Sequence, residues 1–429
     1  MSDLTPSPEL RPRSELRSRT GVPKVAGIAR HGRLRRSNPW PTILKFVGAA
    51  LAVVLVSSVS VAAIAVNGLT SQTTTVDLVP PTDGPLPQIG AIEGGFNILI
   101  VGSDTRAGQG GIGGSEEDET SVLNDVTMLL HVSQDQTNAV AISFPRYMVV
   151  GIPECTWDDG SGDVKGYSTE PLNTALYYGG LPCVALTIQE LTGLPIQFAG
   201  MITFQGVIAM SDAIGGVDVC VTGPVIDSDT GIDLPAAGTY NLSGFNALAF
   251  LRTRGAVGDG SDLTRISSQQ VFLSALVRKL KSDETLGDIK KVYGLANAAF
   301  ANMTLSSSLA SVNTMTSIAL ALKDIPLERV TFVQYPGSTG QTEGIYAGKV
   351  RPNTALGDEM MALIAADQPF RLDAAGDGRG SQADPNAPAA PAPTETSTAA
   401  PVDNSNLPVV SGVSGQTAAD YTCSIANDY

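Results

Sequence analysis

The sequence predicts an α/β or α+β domain carried on a single membrane-spanning segment. Three observations point there. A long uncharged run lies near the N-terminus. Short β-branched runs alternate with longer helical segments from about residue 94. Hydrophobic residues make up 43 % of the 429-residue chain, enough to fill a core.

Residues 1–45 hold ten of the 27 Lys/Arg and three of the 42 Asp/Glu, although the whole chain carries a net charge of −15. Such asymmetry signals a membrane or nucleic-acid contact. The next segment decides between them. "FVGAALAVVLVSSVSVAAIAV", residues 46–66, has no charge. At 1.5 Å per residue it spans roughly 30 Å, the thickness of a bilayer core. A preceding basic flank places the N-terminus in the cytoplasm and the rest outside the cell. A cleaved signal peptide is the alternative, but its apolar region is shorter and its leader rarely 45 residues long. Orientation already explains the basic arm, and residues 1–45 show no helix-turn-helix pattern, so no nucleic-acid partner is expected.

Residues 67–93 are rich in Pro, Thr and Gly and read as an extracytoplasmic linker. From residue 94 to 372 the pattern is globular. "FNILIVG", "DVTMLLHVS" and "TNAVAISFP" read as strands. "CVALTIQELTGLP" reads as a helix stopped at Gly193. "FQGVIAMSDAIGGVDVCV" reads as helix, Gly-Gly stop and strand. Ser243 is placed to cap "SGFNALAFLRTR". "DLTRISSQQVFLSALVRKLKS" is a long helix with Asp262 at its start and basic residues at its end. Residues 373–429 are rich in Ala, Pro and Thr, and are expected to be disordered, with Cys423 near the end.

The four cysteines, Cys155, Cys183, Cys220 and Cys423, all fall on the exported side, where disulfides persist. They show no paired spacing suited to zinc. Of three pairings, Cys155–Cys183 would close a Gly-rich loop and Cys220–Cys423 would fix the tail. The alternative is that one or both pairs stay reduced.

His131, the single exported histidine, lies inside an apolar run, so a Ser-His-Asp site is not expected. HExxH, GxSxG and Walker sequences do not occur. What remains is acids and arginines at element ends. Asp104 follows one strand and Asp125 starts the next. If those strands are antiparallel neighbours, the carboxylates meet at one edge and suit Mg²⁺. Arg146 follows a third strand. Three of the ten arginines beyond residue 67, Arg252, Arg254 and Arg265, crowd into "LRTRGAVGDGSDLTRISSQQ". Arg265 and Gln269 share a helix face. Guanidinium forks suit bidentate phosphate binding.

In order, "NILIVGSDTR", "NDVTMLLHVS", "ISFPR", "LNTALYYGG", "TIQELTGLPI", "DAIGGVDVCV", "GTYNLSGFNALAFLRTR" and "DLTRISSQQ" resemble the LytR-CpsA-Psr family of bacterial envelope enzymes. The resemblance implies a three-layer α/β/α fold with a central mixed sheet and a hydrophobic lipid pocket. It implies a phosphotransferase that moves a glycopolymer from a polyprenyl-pyrophosphate carrier onto peptidoglycan. Asp104 and Asp125 would hold Mg²⁺ (or Mn²⁺). Arg146, Arg252, Arg254, Asp262 and Arg265 would be catalytic, and Arg106, Asn173 and Gln269 would bind substrate. The apolar elements between residues 184 and 221 would line the pocket. Four polar family positions are replaced, by Leu123, Tyr147, Pro171 and Ser268. A hydrolase of lipid pyrophosphates and a non-catalytic envelope regulator are the alternative functions.

Overall fold

The computed structural model describes residues 40, 44–45, 68, 73–78, 94–106, 109, 111–112, 122–157, 161–387 and 404–427. The chain divides into two units, residues 1–61 and 62–429, and the second holds the fold. The expected membrane span at 46–66 lies outside the described residues. Among those that are described, no helix is long and apolar enough to cross a membrane.

Two sheets are built from strands β1 (Thr74–Val76), β2 (Phe96–Ser103), β3 (Asn124–Val132), β4 (Ala139–Phe144), β5 (Phe198–Ile202), β6 (Val217–Val221), β7 (Gly238–Leu242), β8 (Met303–Ser306), β9 (Val330–Gln334), β10 (Ser381–Ala383), β11 (Gly415–Thr417) and β12 (Thr422–Ser424). The larger sheet has the order β1-β8-β5-β2-β3-β4-β9-β11, and the smaller β7-β6-β12-β10. β2, β3 and β4 are antiparallel neighbours, whereas β2 with β5 and β4 with β9 run parallel. The central sheet is therefore mixed.

The main helices are α1 (Ala175–Thr192), α2 (Phe204–Ala213), α3 (Gly244–Arg252), α4 (Asp262–Lys281), α5 (Ile289–Asn302), α6 (Val312–Asp324) and α7 (Thr354–Ala365). Alternate strand residues bury in opposite directions. Leu99, Leu129 and Ile142 pack with Val184 and Ile188 of α1 and Met360 of α7. Ile98, Met128 and Ala141 pack with Phe300 of α5 and Ile318 of α6. Helices thus cover both faces of the sheet, giving three layers. A third core joins Val217, Val219 and Leu242 of the smaller sheet to Phe250 of α3 and Phe272 of α4.

Local sequence explains the element ends. Ser261 Oγ accepts the Thr264 N–H and starts α4, Asp262 sits in its first turn, and Arg278, Lys279 and Lys281 close it, all matched to the helix dipole. Ser243 stands at the N-cap of α3, but its side chain makes no capping bond. Ser211 takes that part instead, its Oγ accepting the Gly244 N–H at 2.9 Å. α1 extends further upstream than expected and is broken at Gly179–Gly180. A side chain at Gly179 would meet Thr156 O at 2.7 Å and Cys183 Cβ at 2.9 Å. Glycine there lets the hairpin Cys155–Thr156/Val164–Lys165 close on the helix, where Cys155 bonds Cys183.

Two sequence expectations need correction. The tail from residue 373 is not uniformly disordered: 373–387 and 404–427 are folded, with β10, β11 and β12 paired to existing strands. The Ala/Pro/Thr excess is concentrated in 388–403, which lies outside the described residues. Averaging over the whole tail hid strands that are stabilised by long-range pairing. The linker likewise contributes β1, which pairs with β8 from Thr74↔Thr304 to Val76↔Ser306. The domain therefore extends beyond 94–372 at both ends.

Cys220 and Cys423, opposed in the parallel β6/β12 pair, form the second disulfide, across a sequence separation of 203. Replacing both by serine should cost about 2–5 kcal/mol of stability, because the unfolded chain loses a long closed loop. Urea unfolding under non-reducing conditions checks this; an unchanged midpoint would mean that the tail docks without help from the bond.

Candidate active site

The site forms where β2, β3 and β4 end and α4 begins. β2 and β3 are antiparallel, with Ser103 opposite Asn124, so Asp104 and Asp125 come to one edge as expected. Two hydrogen bonds stitch that edge: the Asp104 N–H donates to Leu123 O at 3.1 Å, and the Leu123 N–H donates to Asp104 Oδ1 at 2.7 Å. Leu123, which lacks the expected polar side chain, serves through its backbone.

Arg146 follows β4 and is buried. Its guanidinium pairs with the Asp125 carboxylate and donates to the Tyr147 hydroxyl at 2.7 Å. Its main-chain N–H donates to Asp262 Oδ2 at 3.1 Å, and its Nε lies 3.3 Å from Asp262 Oδ1. Arg265, only 3 % exposed, donates from Nη2 to Asp262 Oδ1 at 2.7 Å and to Asp125 O at 3.2 Å. Asp125, Arg146, Asp262 and Arg265 thus form one buried ionic network. Burial alone would raise the Asp125 pKa. The positive charges of Arg146 and Arg265 outweigh it, with the Arg146 hydrogen bond, and hold the carboxyl below the usual range. Burial also opposes charge on Arg146, but Asp125 and Asp262 more than restore it. The Nε atoms of Arg146 and Arg265 are buried and make no hydrogen bond, and Arg146 Nε meets Asp262 only as an ion pair.

Arg252, at the end of α3, stacks its guanidinium 4.5 Å from the centre of the Phe204 ring. Burial lowers its pKa first, and Arg106 and Arg254 add to that, while Asp125 and Asp104 oppose it. Among the described residues it has no carboxylate within ion-pair distance, and neither does Arg254, which is exposed. Gln269 does not point free into solvent: its Nε2 donates to Leu251 O at 2.9 Å and ties α4 to α3. Asn173 is buried and joins the site through its backbone, its N–H donating to Arg146 O at 2.9 Å.

An apolar cavity of about 330 Å³ opens beside this cluster. Val207, Met210, Ile214, Leu248, Phe272, Leu276 and Met303 form its walls, and Asp125, Arg252, Arg265 and Gln269 stand at its polar end. Of the stretch 184–221 expected to line it, only residues from Ile202 onward do so. α1 packs in the core on the other face of the sheet.

Several contributors had no clear mark in the sequence. Tyr147 stands where a family acid is missing, yet its hydroxyl supports Arg146. Thr253, between the two arginines, donates to Asp227 Oδ2 at 2.5 Å. The folded tail clamps the loop after it. Gly258 has φ 53°, and its N–H donates to Ile425 O at 2.8 Å. A side chain at Gly258 would strike Arg379 O at 2.8 Å. Asn427 N–H donates to Ala256 O, and Arg379 pairs with Asp259. Ser268 faces this tail, 2.5 Å from Ser424 Oγ. His131 lies about 20 Å from Asp125 along β3, between Asn97 and Asp367.

The donor set fits a divalent metal. Asp104 and Asp125 are hard oxygen ligands at one edge, and Mg²⁺ commonly binds through two carboxylates, water and phosphate. Among the described residues the one group of three or more metal-type ligands is Cys220, Asp384 and Cys423, whose sulfurs are bonded to each other.

Residues 63–356 match the model of the LytR_cpsA_psr family. Cell wall biosynthesis protein LcpA of Corynebacterium glutamicum is 28 % identical over 288 residues, 61 % of this chain and 53 % of the relative. The chain thus spans about half the length of that relative. The polyisoprenyl-teichoic acid–peptidoglycan teichoic acid transferase TagT of Bacillus subtilis is 26 % identical over 260 residues, 59 % of this chain and 72 % of the relative. The solved LytR-Csp2A-Psr enzyme from Actinomyces oris shares the fold, with a TM-score of 0.50 at 21 % identity, over 68 % of this chain and 96 % of that one.

Removing one partner from a buried ionic network strands the others. Asp262→Ala should therefore destabilise the chain by about 3–5 kcal/mol. Arg254→Ala, at an exposed position, should change stability by no more than about 0.5 kcal/mol. Denaturant unfolding of the two variants compares them directly, and equal effects would contradict this description of the network.

Proposed function

Because the chain belongs to the LytR_cpsA_psr family, we propose that it is a membrane-anchored transferase that moves a glycopolymer from a polyprenyl-pyrophosphate carrier onto peptidoglycan, leaving a phosphodiester link. The observation that carries this reading is the apolar cavity ending in Arg252, Arg265 and Gln269. A polyprenyl chain would occupy the apolar walls and its pyrophosphate would meet the arginines. The names of the relatives agree with it: one is a cell wall biosynthesis protein, another a teichoic acid transferase.

Each residue has a part. Arg252 and Arg254, without carboxylate partners among the described residues, are available to the pyrophosphate oxygens. Arg146 and Arg265 are held in position by Asp262 and Asp125 and contribute positive charge that needs no reorganisation when the phosphoryl group transfers. Arg106 adds charge beside Arg252. Asp104 and Asp125 would hold Mg²⁺ or Mn²⁺, which supplies Lewis-acid neutralisation of phosphate charge. A sugar hydroxyl of the acceptor attacks the phosphorus nearer the glycan. The new P–O ester forms, the bond to the bridging oxygen breaks, and polyprenyl phosphate leaves while the hydroxyl proton passes to a base. Both oxygens of Asp262 already accept from the arginines, so its part is positioning.

Anchoring rests on the uncharged run 46–66 and its basic flank. The two disulfides support an extracellular domain with a cytoplasmic N-terminus.

The test is to incubate the full chain with a lipid-pyrophosphate oligosaccharide, Mg²⁺ and peptidoglycan. Covalent transfer is expected, and Arg252→Ala should lower its rate about 100-fold or more. Release of polyprenyl phosphate without transfer would replace this reading with a hydrolase. Neither product would overturn it in favour of a non-catalytic regulator.

A further inference from the structure

An aromatic cluster stands next to the site, on elements the transfer chemistry does not use. Trp157, Tyr177 and Tyr178 meet edge to face in all three pairs, with ring centroids 5.8, 5.4 and 5.5 Å apart. Lys165 Nζ lies 4.0 Å from the centre of the Tyr178 ring, and the Tyr178 hydroxyl donates to Glu170 Oε2 at 2.5 Å. Burial works to raise the Glu170 pKa, but hydrogen bonds from Tyr178, Ser168 and Lys165 outweigh it and keep the group an ionised acceptor.

Three features separate this cluster from ordinary packing. First, it is open: Tyr177 is 51 % exposed. Second, it is rigid. The Cys155–Cys183 bond fastens the hairpin that leads into Trp157 to the helix that carries both tyrosines. Third, it is attached to the reaction centre. The Leu176 N–H, one residue before Tyr177, donates to the Asn124 side chain at 3.3 Å, beside Asp125. Asn173, in the turn before the same helix, bonds Arg146 O. α1 packs on the sheet face opposite the apolar cavity.

The electronics of the cluster select a class of ligand. The face of an aromatic ring is negative and attracts positively polarised edges. The axial C–H bonds of a pyranose offer such an edge, and its hydroxyl or acetamido groups can donate to a carboxylate and accept from an ammonium group. Ligand sites commonly combine aromatic side chains with a few fixed polar groups that set orientation. We propose that Trp157 and Tyr177, with Lys165 and Glu170, form a carbohydrate-stacking subsite for a pyranose of a glycan engaged at the Asp125/Arg146 centre. That a glycan is processed there rests on the transferase reading; the stacking itself does not. Lipid on one face and sugar on the other would place the pyrophosphate between them, at the arginines.

The chain has two tryptophans, Trp40 and Trp157, so Trp40→Phe leaves Trp157 as a single fluorescent reporter. Two probes are titrated into the full chain carrying that change: a tetramer of β-1,4-linked N-acetylglucosamine, and a polyprenyl-pyrophosphate disaccharide. A saturable change in emission is expected. Tyr177→Ala should weaken binding about tenfold, and Tyr177→Phe should restore it. A response to the free tetramer identifies the acceptor glycan as the occupant. A response to the lipid-linked sugar alone identifies the donor. Binding that persists in a chain without transfer activity would sink the transferase reading and leave the subsite standing. The proposal is overturned if neither probe changes Trp157 emission or gives a saturation-transfer NMR signal, or if Tyr177→Ala binds as the parent does.

Discussion

The Asp262 carboxylate is the constraint on which the site depends. It sits in the first turn of α4 and accepts from the main chain of Arg146 and the side chain of Arg265. One group therefore locks the end of β4 to the start of α4. Two guanidinium groups are desolvated in the process, which is tolerable only because Asp262 and Asp125 lie against them. A buried network of this kind contributes little net stability compared with a well-packed apolar core. What it provides is a fixed arrangement of charge. Arg252 and Arg254 stand outside it, without a carboxylate partner among the described residues, and Arg252 leaves positive charge at the polar end of the cavity.

Much of this was legible in the sequence because it is local. The runs "FNILIVG" and "DVTMLLHVS" had the length and β-branching of buried strands, and they formed β2 and β3. Ser261 and Asp262 marked the start of α4, and the basic residues marked its end. The meeting of Asp104 and Asp125 followed from antiparallel neighbours at one edge. The disulfide pairs followed from which loops needed closing. What the sequence hid is long-range. β1 has three residues and exists only because β8 offers an edge. The tail strands exist because β6 and β9 offer theirs. The walls of the cavity come from α2, α3, α4, α5 and five strands, and no periodicity reveals which faces converge. Arg146 could be placed near Asp125, but its bond to Tyr147 could not, because Tyr147 was read only as a lost acid.

The folded tail changes the view of the arginine loop. Gly258, Ala256 and Asp259 are each bonded to residues beyond 372, and the tail strand is itself tied to β6 by Cys220–Cys423. The glycines of that loop permit its turn, and the tail holds it. Ser268 belongs to this clamp, which explains why a small side chain suits that position. The loop bearing Arg254 therefore has two supports, the Asp262 network below and the C-terminal strands above.

The central claim is that the apolar cavity holds a polyprenyl chain with its phosphates at the arginines. A crystal structure of the chain with geranylgeranyl pyrophosphate tests it most directly. The account predicts the isoprenoid between Val207, Met210, Leu248 and Phe272, with its phosphates against Arg252 and Arg265. An isoprenoid bound elsewhere, or phosphates turned away from the arginines into solvent, would contradict it.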